Sequence, residues 1–454
     1  MQSEDPYYFF YTHYVSQGEI KNLFIEAFKD GFRLGHTNPI GSIFFHFYFF
    51  IIHSLADFFN VNPWLISGLM RSTLILVLLG VVYAYLKNVL RVKLDFKFYC
   101  FLALTIYFGT IQFHSPWAHD FSASGPAQGI LTPILMITNI LLMSRLIQNR
   151  FKKGSLVVFI FTIGYLHVYE LQLINLIYLP LMLLGEKDFN FKSKALYIFK
   201  FSVLPFTLWV CGKILFSENS DQYSGTILST PSIALKTSIL NILGSFPTSA
   251  WKLTSQVIPE SFDIKDNQSI LIILVALLLA QIPLYKYKPI EFRFDIKFSL
   301  NFLYLFLLMI LSSVMHGITL KNAQDVSILG QVYFSYGVGF VVWFIAILVI
   351  ILRILSSNIL VKLLISIILI PFFAFQFNVN YTISNRQVSD YDSLEKLINS
   401  SIAIPKSVEM RCKILTDWQP EYTDSYYSNA IINGLNYFSQ KEINSEYCPG
   451  YVTK

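Results

Sequence analysis

Continuous apolar runs separated by short basic connectors set the pattern of this 454-residue chain. Runs of about 17 to 21 apolar residues match the ~30 Å hydrocarbon core of a bilayer when helical. They lack the two-residue alternation of a membrane barrel. The connectors collect Lys87, Arg91, Lys93 and Lys97, then Arg145, Arg150, Lys152 and Lys153, then Lys187, Lys192, Lys194 and Lys200, then Lys286, Lys288, Arg293 and Lys297, and finally Arg353. Placing these in the cytoplasm predicts spans over 65–86, 98–113, 126–146, 200–216, 270–286, 298–318, 336–352 and 358–375, with external loops at 114–125, 217–269 and 319–335 and an external tail from 376.

Two stretches do not fit simple crossings. Residues 155–185, "SLVVFIFTIGYLHVYELQLINLIYLPLMLLG", lie between two basic connectors, so both ends are cytoplasmic. A single crossing is ruled out, and at 1.5 Å per residue the stretch is short for two full ones. The prediction is a re-entrant hairpin of two short helices bending near "HVYE". Irregular backbone and a carboxylate at that depth need protein or a polar cavity around them, so His167 and Glu170 are expected to face one. The head 1–36 carries Glu4, Asp5, Glu19, Glu26 and Asp30 against Lys21, Lys29 and Arg33. An acidic head reads as external, with 38–59 lying along the outer interface. The alternative is an ordinary span at 38–59 and a cytoplasmic head. An external head implies either a first span upstream of residue 1 or, more rarely, unaided translocation of a short head.

Composition sharpens the class. The chain is 54% hydrophobic, 17% aromatic and 14% charged, with a mean hydropathy of +0.53, outside the range of soluble proteins. Its net charge of +6 is accounted for by the cytoplasmic connectors and does not require a nucleic-acid partner. No Walker motif, G-x-G-x-x-G fingerprint, CxxC pair or H-E-x-x-H helix occurs, which removes support for nucleotide-driven export and zinc proteolysis. The predicted fold is an all-α integral membrane protein of about eight to ten membrane helices, with interfacial helices and the hairpin. It divides into an acidic-motif region 1–64, a membrane domain 65–375 and a small external domain 376–454.

The order of features over residues 1–90 resembles the GT-C glycosyltransferases. "EDPYYFFYTHYVSQG" is similar to their acidic motif and first interfacial helix, "HTNPIGSIFFHFYFFIIHSLADFFNVNPW" to the second, and "LISGLMRSTLILVLLG" to the span that opens with an arginine. The resemblance implies transfer of a sugar from a polyprenyl-phosphate carrier to a surface glycan of the O-antigen kind, outside the bacterial cytoplasmic membrane. The re-entrant segment and external tail also resemble the phage serotype-converting glucosyltransferases. A polysaccharide polymerase is the alternative within this chemistry, and a lipid-linked oligosaccharide flippase or transporter the alternative outside it.

Such a transfer needs a base for the acceptor hydroxyl and a cation for the departing phosphate. Asp5, held before Pro6, and Glu4 are the candidate bases. The competing reading of "EDP" is a helix cap. Arg71, an arginine inside an apolar segment, is the candidate phosphate ligand, with Lys321 and Arg33 as further cations; for Arg71 the competing reading is snorkelling to the interface. A divalent cation assisting the acidic motif is the one cofactor left open. His114, His119 and Asp120 sit in one loop without the partner ligands of a zinc site, so they are expected to line an acceptor or headgroup groove. His316, Asp325 and Gln331 are expected in another external loop, as sugar contacts, beside Tyr333 and Tyr336 as interfacial anchors. The loop 217–269 has the length of a lid. Cys100 and Cys211 fall in spans, whereas Cys412 and Cys448 share the external tail, where a disulfide would staple a small core.

Overall fold

The computed structural model describes residues 20–32, 37–61, 63–110, 129–151, 153–216, 227–246, 295–320 and 333–355, with isolated positions 408, 409, 412, 436, 448 and 449. Apart from one antiparallel bridge between Leu228 and Thr319, these residues form no β-structure. Among the described residues, five helical stretches are long and apolar enough to cross a membrane: Pro39–Ala56, Leu65–Asn88, Leu131–Gln148, Phe191–Phe216 and Ile296–Gly317.

Helix α1 (Ile20–Asp30) lays Leu23 and Ala27, one turn apart, against α2 (Pro39–Phe59), and leaves Ile20, Phe24 and Phe28 exposed. Both α2 and α3 (Pro63–Asn88) open on proline, whose missing N–H costs nothing in a first turn. The chain then reverses through Arg91 at φ 57° into α4 (Phe96–Thr110), capped by Asp95, which accepts from the Phe98 N–H at 3.0 Å. Helix α5 (Leu131–Gln148) ends in left-handed residues Arg150 and Phe151. Helix α6 (Ser155–Leu166) is only 12 residues, ~18 Å. A turn at His167–Tyr169 leads into a 3₁₀ helix, Glu170–Ile177, continued by α7 (Tyr178–Gly185).

Helices α8 (Phe191–Ile198) and α9 (Leu204–Phe216) run on through a π-turn at Phe199–Val203. Pro205 explains the widened turn, since its ring cannot tolerate a regular i−4 carbonyl. The continuous helix starts at Phe191, earlier than the span expected at 200–216, because the Asn190 side chain caps it by accepting from the Ser193 N–H at 2.8 Å. Lys192 and Lys194 therefore belong to its first turns.

Within the expected loop 217–269, residues Pro231–Gly244 fold as a helix, α10, that packs along α11 (Ile296–Gly317). The rest of the loop expected as a lid, 217–226 and 247–269, lies outside the described residues. The buried face of α10 is Thr237, Ser238, Asn241 and Gly244, which carries no apolar period and so reads as loop; small residues allow the close helix approach typical of membrane bundles. Helix α12 (Tyr333–Leu355) completes the described bundle, and Tyr333 and Tyr336 open it instead of lying in a loop. Residues expected in the spans 270–286 and 358–375 lie outside the described residues.

One apolar core joins α3, α4, α5, the 3₁₀ segment, α7, α11 and α12. Ion pairs gather at one end, where Lys297 meets Glu186 at 2.6 Å, Arg150 meets Asp188 at 3.0 Å and Arg91 meets Asp295 at 3.6 Å. This is the end of the basic connectors. The "HVYE" turn and the last residue pairs of α11 lie at the other.

Candidate functional site

The site is organised by the irregular stretch after α6. A 3₁₀ segment makes poorer backbone hydrogen bonds than an α-helix, and inside a bundle its polar groups need other partners. Side chains from several helices supply them. Gln172 donates to the Thr132 carbonyl at 3.1 Å, and Asn175 to the Met136 carbonyl at 2.7 Å. The Tyr304 hydroxyl donates to Asn175 Oδ1 at 2.9 Å, Tyr165 to the Gln172 carbonyl at 3.3 Å and Ser202 to the Leu176 carbonyl at 2.8 Å. The segment is thereby fixed to α5, α6, α11 and the π-turn, and its N-terminal turn projects at the end of the bundle.

Helix α2 docks onto that turn. The Ile40 and Gly41 N–H groups donate to the His167 carbonyl at 3.0 and 3.1 Å. Gly41 packs directly on the Val168 backbone, leaving no room for a Cβ. The preceding connection is equally tight, with the Asn38 N–H donating to the Gly31 carbonyl at 2.9 Å and Gly31 against Pro39. The Thr37 backbone lies beside the His167 imidazole. Phe32 packs on Phe216 at the end of α9, ring centroids 5.5 Å apart.

These contacts collect acidic and imidazole groups. His167 and Glu170 are half-buried on the turn. The Tyr169 hydroxyl and His316 Nε2 are 3.0 Å apart, both side chains buried, and Glu170 is close enough to interact electrostatically with that imidazole. His316 is thus the penultimate residue of α11, inside the bundle, and not the external loop residue expected from the sequence. Its Nε2, at the end of an apolar helix, pairs with Tyr169, 147 residues away in sequence. On the α1–α2 hairpin, the buried His46 Nε2 lies 3.2 Å from Asp30 Oδ2, and Ser42 Oγ donates to the same oxygen at 3.5 Å. Burial pushes the His167 imidazole below its ordinary pKa, opposed in part by the Thr37 backbone. The ring is therefore neutral at pH 7 and offers one donor and one acceptor nitrogen.

Of the residues nominated from sequence, the structure brings Glu170 and His316 together, while His167, on the same turn, faces Thr37 and Gly212. Arg71 is half-buried in the first half of α3, which packs on α2. Glu4, Asp5, Arg33, His119, Asp120, Lys321, Asp325 and Gln331 lie outside the described residues. Cys412 and Cys448 form a disulfide, while Cys100 and Cys211 are free thiols. Among the described residues no three His, Cys, Asp or Glu side chains converge as a metal site.

Sequence reasoning missed Asp30, His46 and Tyr169. Asp30 counted only toward the charge of the head, and His46 was one of two histidines in a Phe-rich run. The usable signal was chemical: an imidazole within a helix this apolar needs a buried partner, and few carboxylates flank it, Asp30 before Pro39 and Asp57 at the end of the same helix. Together the groups comprise two carboxylates, three imidazoles and a phenol at one end of a helical bundle, able to orient hydroxyl groups and to exchange protons with them. No family model, no curated protein and no solved structure matches this chain.

Proposed function

We propose that the protein is a multi-pass glycosyltransferase of the bacterial cytoplasmic membrane that moves a hexose-like unit from a polyprenyl-phosphate carrier to a surface glycan on the external face. The observation that carries this reading is the placement of Tyr169 and Glu170 against His316 at the end of the bundle away from the basic connectors, with His167 on the same turn and the Asp30–His46 pair on the hairpin whose second helix docks there. Carboxylates and neutral imidazoles recognise sugar hydroxyls through paired donors and acceptors, and a site at a bundle end is open to a carrier held in the lipid. The Cys412–Cys448 disulfide supports an oxidising, external location for the tail. In this reading Asp5, assisted by Glu4, deprotonates the acceptor, Arg71, Arg33 and Lys321 neutralise the departing phosphate, and Glu170, His167 and His316 hold the sugar. His119, Asp120, Asp325 and Gln331 are assigned to the acceptor side.

Transfer in membranes containing the full chain, followed with radiolabelled polyprenyl-phosphate hexose, tests this. Asp5→Asn should abolish incorporation, and Glu170→Gln should lower it by about 10²-fold or more, the scale of a lost proton-handling or orienting group, with the amount of folded protein unchanged. Addition of single sugars marks the transferase. Stepwise joining of preassembled repeat units would instead favour the polymerase, and carrier translocation without bond formation the flippase.

A further inference from the structure

Lys213 breaks the charge pattern of the bundle. The basic connectors and their ion pairs lie at one end, whereas Lys213 stands in the last turn of α9, at the other. A Cβ on the preceding residue, Gly212, would lie 3.6 Å from His167 Cε1 and 3.9 Å from Thr37 Cγ2, in ordinary contact, so this turn of α9 is packed against the "HVYE" turn and the start of α2. Trp209 packs with Tyr165 and Leu166 at the end of α6, and Phe216 packs on Phe32 after α1. Positions 209, 213 and 216 fall on one side of the helix. Phe206 and Ile214, on the flank beyond Lys213, are exposed. Lys213, itself half-buried, therefore stands at the border where the packed side of α9 meets its lipid-facing flank.

The Lys213 ammonium lacks an anion. Among the described residues it makes no ion pair or hydrogen bond, and Nζ is held over the Trp209 ring, 5.3 Å from its centroid. The end of a helix favours a cation, and the indole face restrains it, but neither occupies its three donors. A cation on the lipid-facing border of a span is costly unless an anion meets it. At the end of a span that anion is a phosphate at headgroup level, and the ammonium is a compact charge able to turn its donors toward one. The neighbourhood narrows the choice of phosphate. The turn packed against Gly212 carries His167, Tyr169 and Glu170, which suit sugar hydroxyls, so a phosphate on Lys213 that bears a sugar brings the sugar to that turn. An ordinary phospholipid has no use for it.

We propose that Lys213, held over Trp209, binds the phosphate of the lipid carrier at the edge of α9, so that the carrier enters sideways from the outer leaflet with its prenyl chain along the apolar flank of that helix. This rests on the sugar-transfer reading above and deepens it, since it adds a phosphate contact outside the set assigned there and gives the carrier a side of approach. A lysine that only snorkels to the interface predicts no difference between one phosphate and another and no effect of its removal on carrier affinity.

The test uses the purified full-length protein in a polyoxyethylene detergent, which carries neither phosphate nor sugar, with farnesyl phosphate as the probe and farnesol as the uncharged control, binding read by calorimetric titration and folding by thermal melting. The expected result is that farnesyl phosphate binds the wild type, that Lys213→Gln raises its Kd by about tenfold or more, the scale of a hydrogen bond to a charged group, and that Lys213→Arg binds close to wild type. Farnesol binding and the melting temperature should be the same in all three proteins. Equal farnesyl phosphate affinity in the wild type and Lys213→Gln overturns the site, as does no binding by the wild type. Transfer from the radiolabelled lipid-linked hexose in membranes then decides the wider reading separately: transfer that persists keeps the transferase, and its absence removes both. Displacement of farnesyl phosphate by equal concentrations of dihexanoyl-phosphatidylglycerol or of inorganic phosphate would show that Lys213 meets any headgroup or any free phosphate, and overturns the carrier as its occupant.

Discussion

His46 is 1% exposed and its carboxylate partner Asp30 is 17% exposed at the side chain, so the pair joins a core imidazole to the solvent edge of the α1–α2 hairpin. Removing the carboxylate leaves a buried ring nitrogen short of a partner, which costs about 1–3 kcal/mol. Asp30→Ala should lower the melting temperature accordingly, and Asp30→Asn less, because the amide oxygen still accepts. His167 responds to pH in a defined direction. Its folded-state pKa lies below the ordinary 6.5, so the unfolded chain takes up the proton first as pH falls. The stability contributed by the neutral ring is present above pH 6.5 and is lost progressively below it. Melting curves between pH 7.5 and 5.5 should show this loss, and His167→Gln should flatten the dependence; a steeper fall in the variant would contradict it.

At the scale of elements, the 3₁₀ segment and the glycine contacts decide how the site is held. Asn175 bridges α5 and α11 by donating to the Met136 carbonyl and accepting from Tyr304. Asn175→Ala should cost about 1–3 kcal/mol by removing two buried hydrogen bonds, leaving the Tyr304 hydroxyl only the Ile174 carbonyl at 3.4 Å, measured by denaturation in detergent. Two glycines give a matched comparison. Gly41 touches the Val168 backbone, which cannot move aside as a flexible side chain would, whereas nothing lies within 4 Å of a Cβ on Gly80 in α3. Gly41→Ala should therefore loosen the α1–α2 hairpin and lower stability. Gly80→Ala should be neutral or stabilising by up to about 1 kcal/mol, the helix-propensity difference. Equal effects at the two positions would contradict the docking of α2 on the turn.

At the scale of the whole molecule, the two ends differ in chemistry. Ion pairs of Lys297, Arg150 and Arg91 with acidic partners mark one end, and the histidine-rich cluster with the Leu228–Thr319 bridge marks the other. An excess of basic residues at the first end is the arrangement expected of a cytoplasmic side. In a chain with its four cysteines replaced, a probe at exposed Lys187→Cys should label only from the cytoplasmic side, and one at exposed Thr230→Cys only from outside. Labelling of both from one side would overturn the orientation. The helix α2 is long enough to cross, as one of the five such stretches, and the same experiment at its two ends separates a crossing from an interfacial course.

The helical class, most helix positions and the bend at "HVYE" were legible in the sequence, because a bilayer-length apolar run and the lysines and arginines that bound it are local properties. The place of His167 and Glu170 at that bend was legible for a related reason, since the parity of the connectors requires the chain to turn back there. Helix α10 was not legible. Its buried face is small and polar, and only contact with Gly317 and α11 makes that face an inside. The pairing of Tyr169 with His316 and of His46 with Asp30 belongs to the tertiary structure alone. Apolar periodicity says which residues must leave water, but it carries no information on which buried polar atoms meet, since those partners are brought together by the packing of helices distant in sequence.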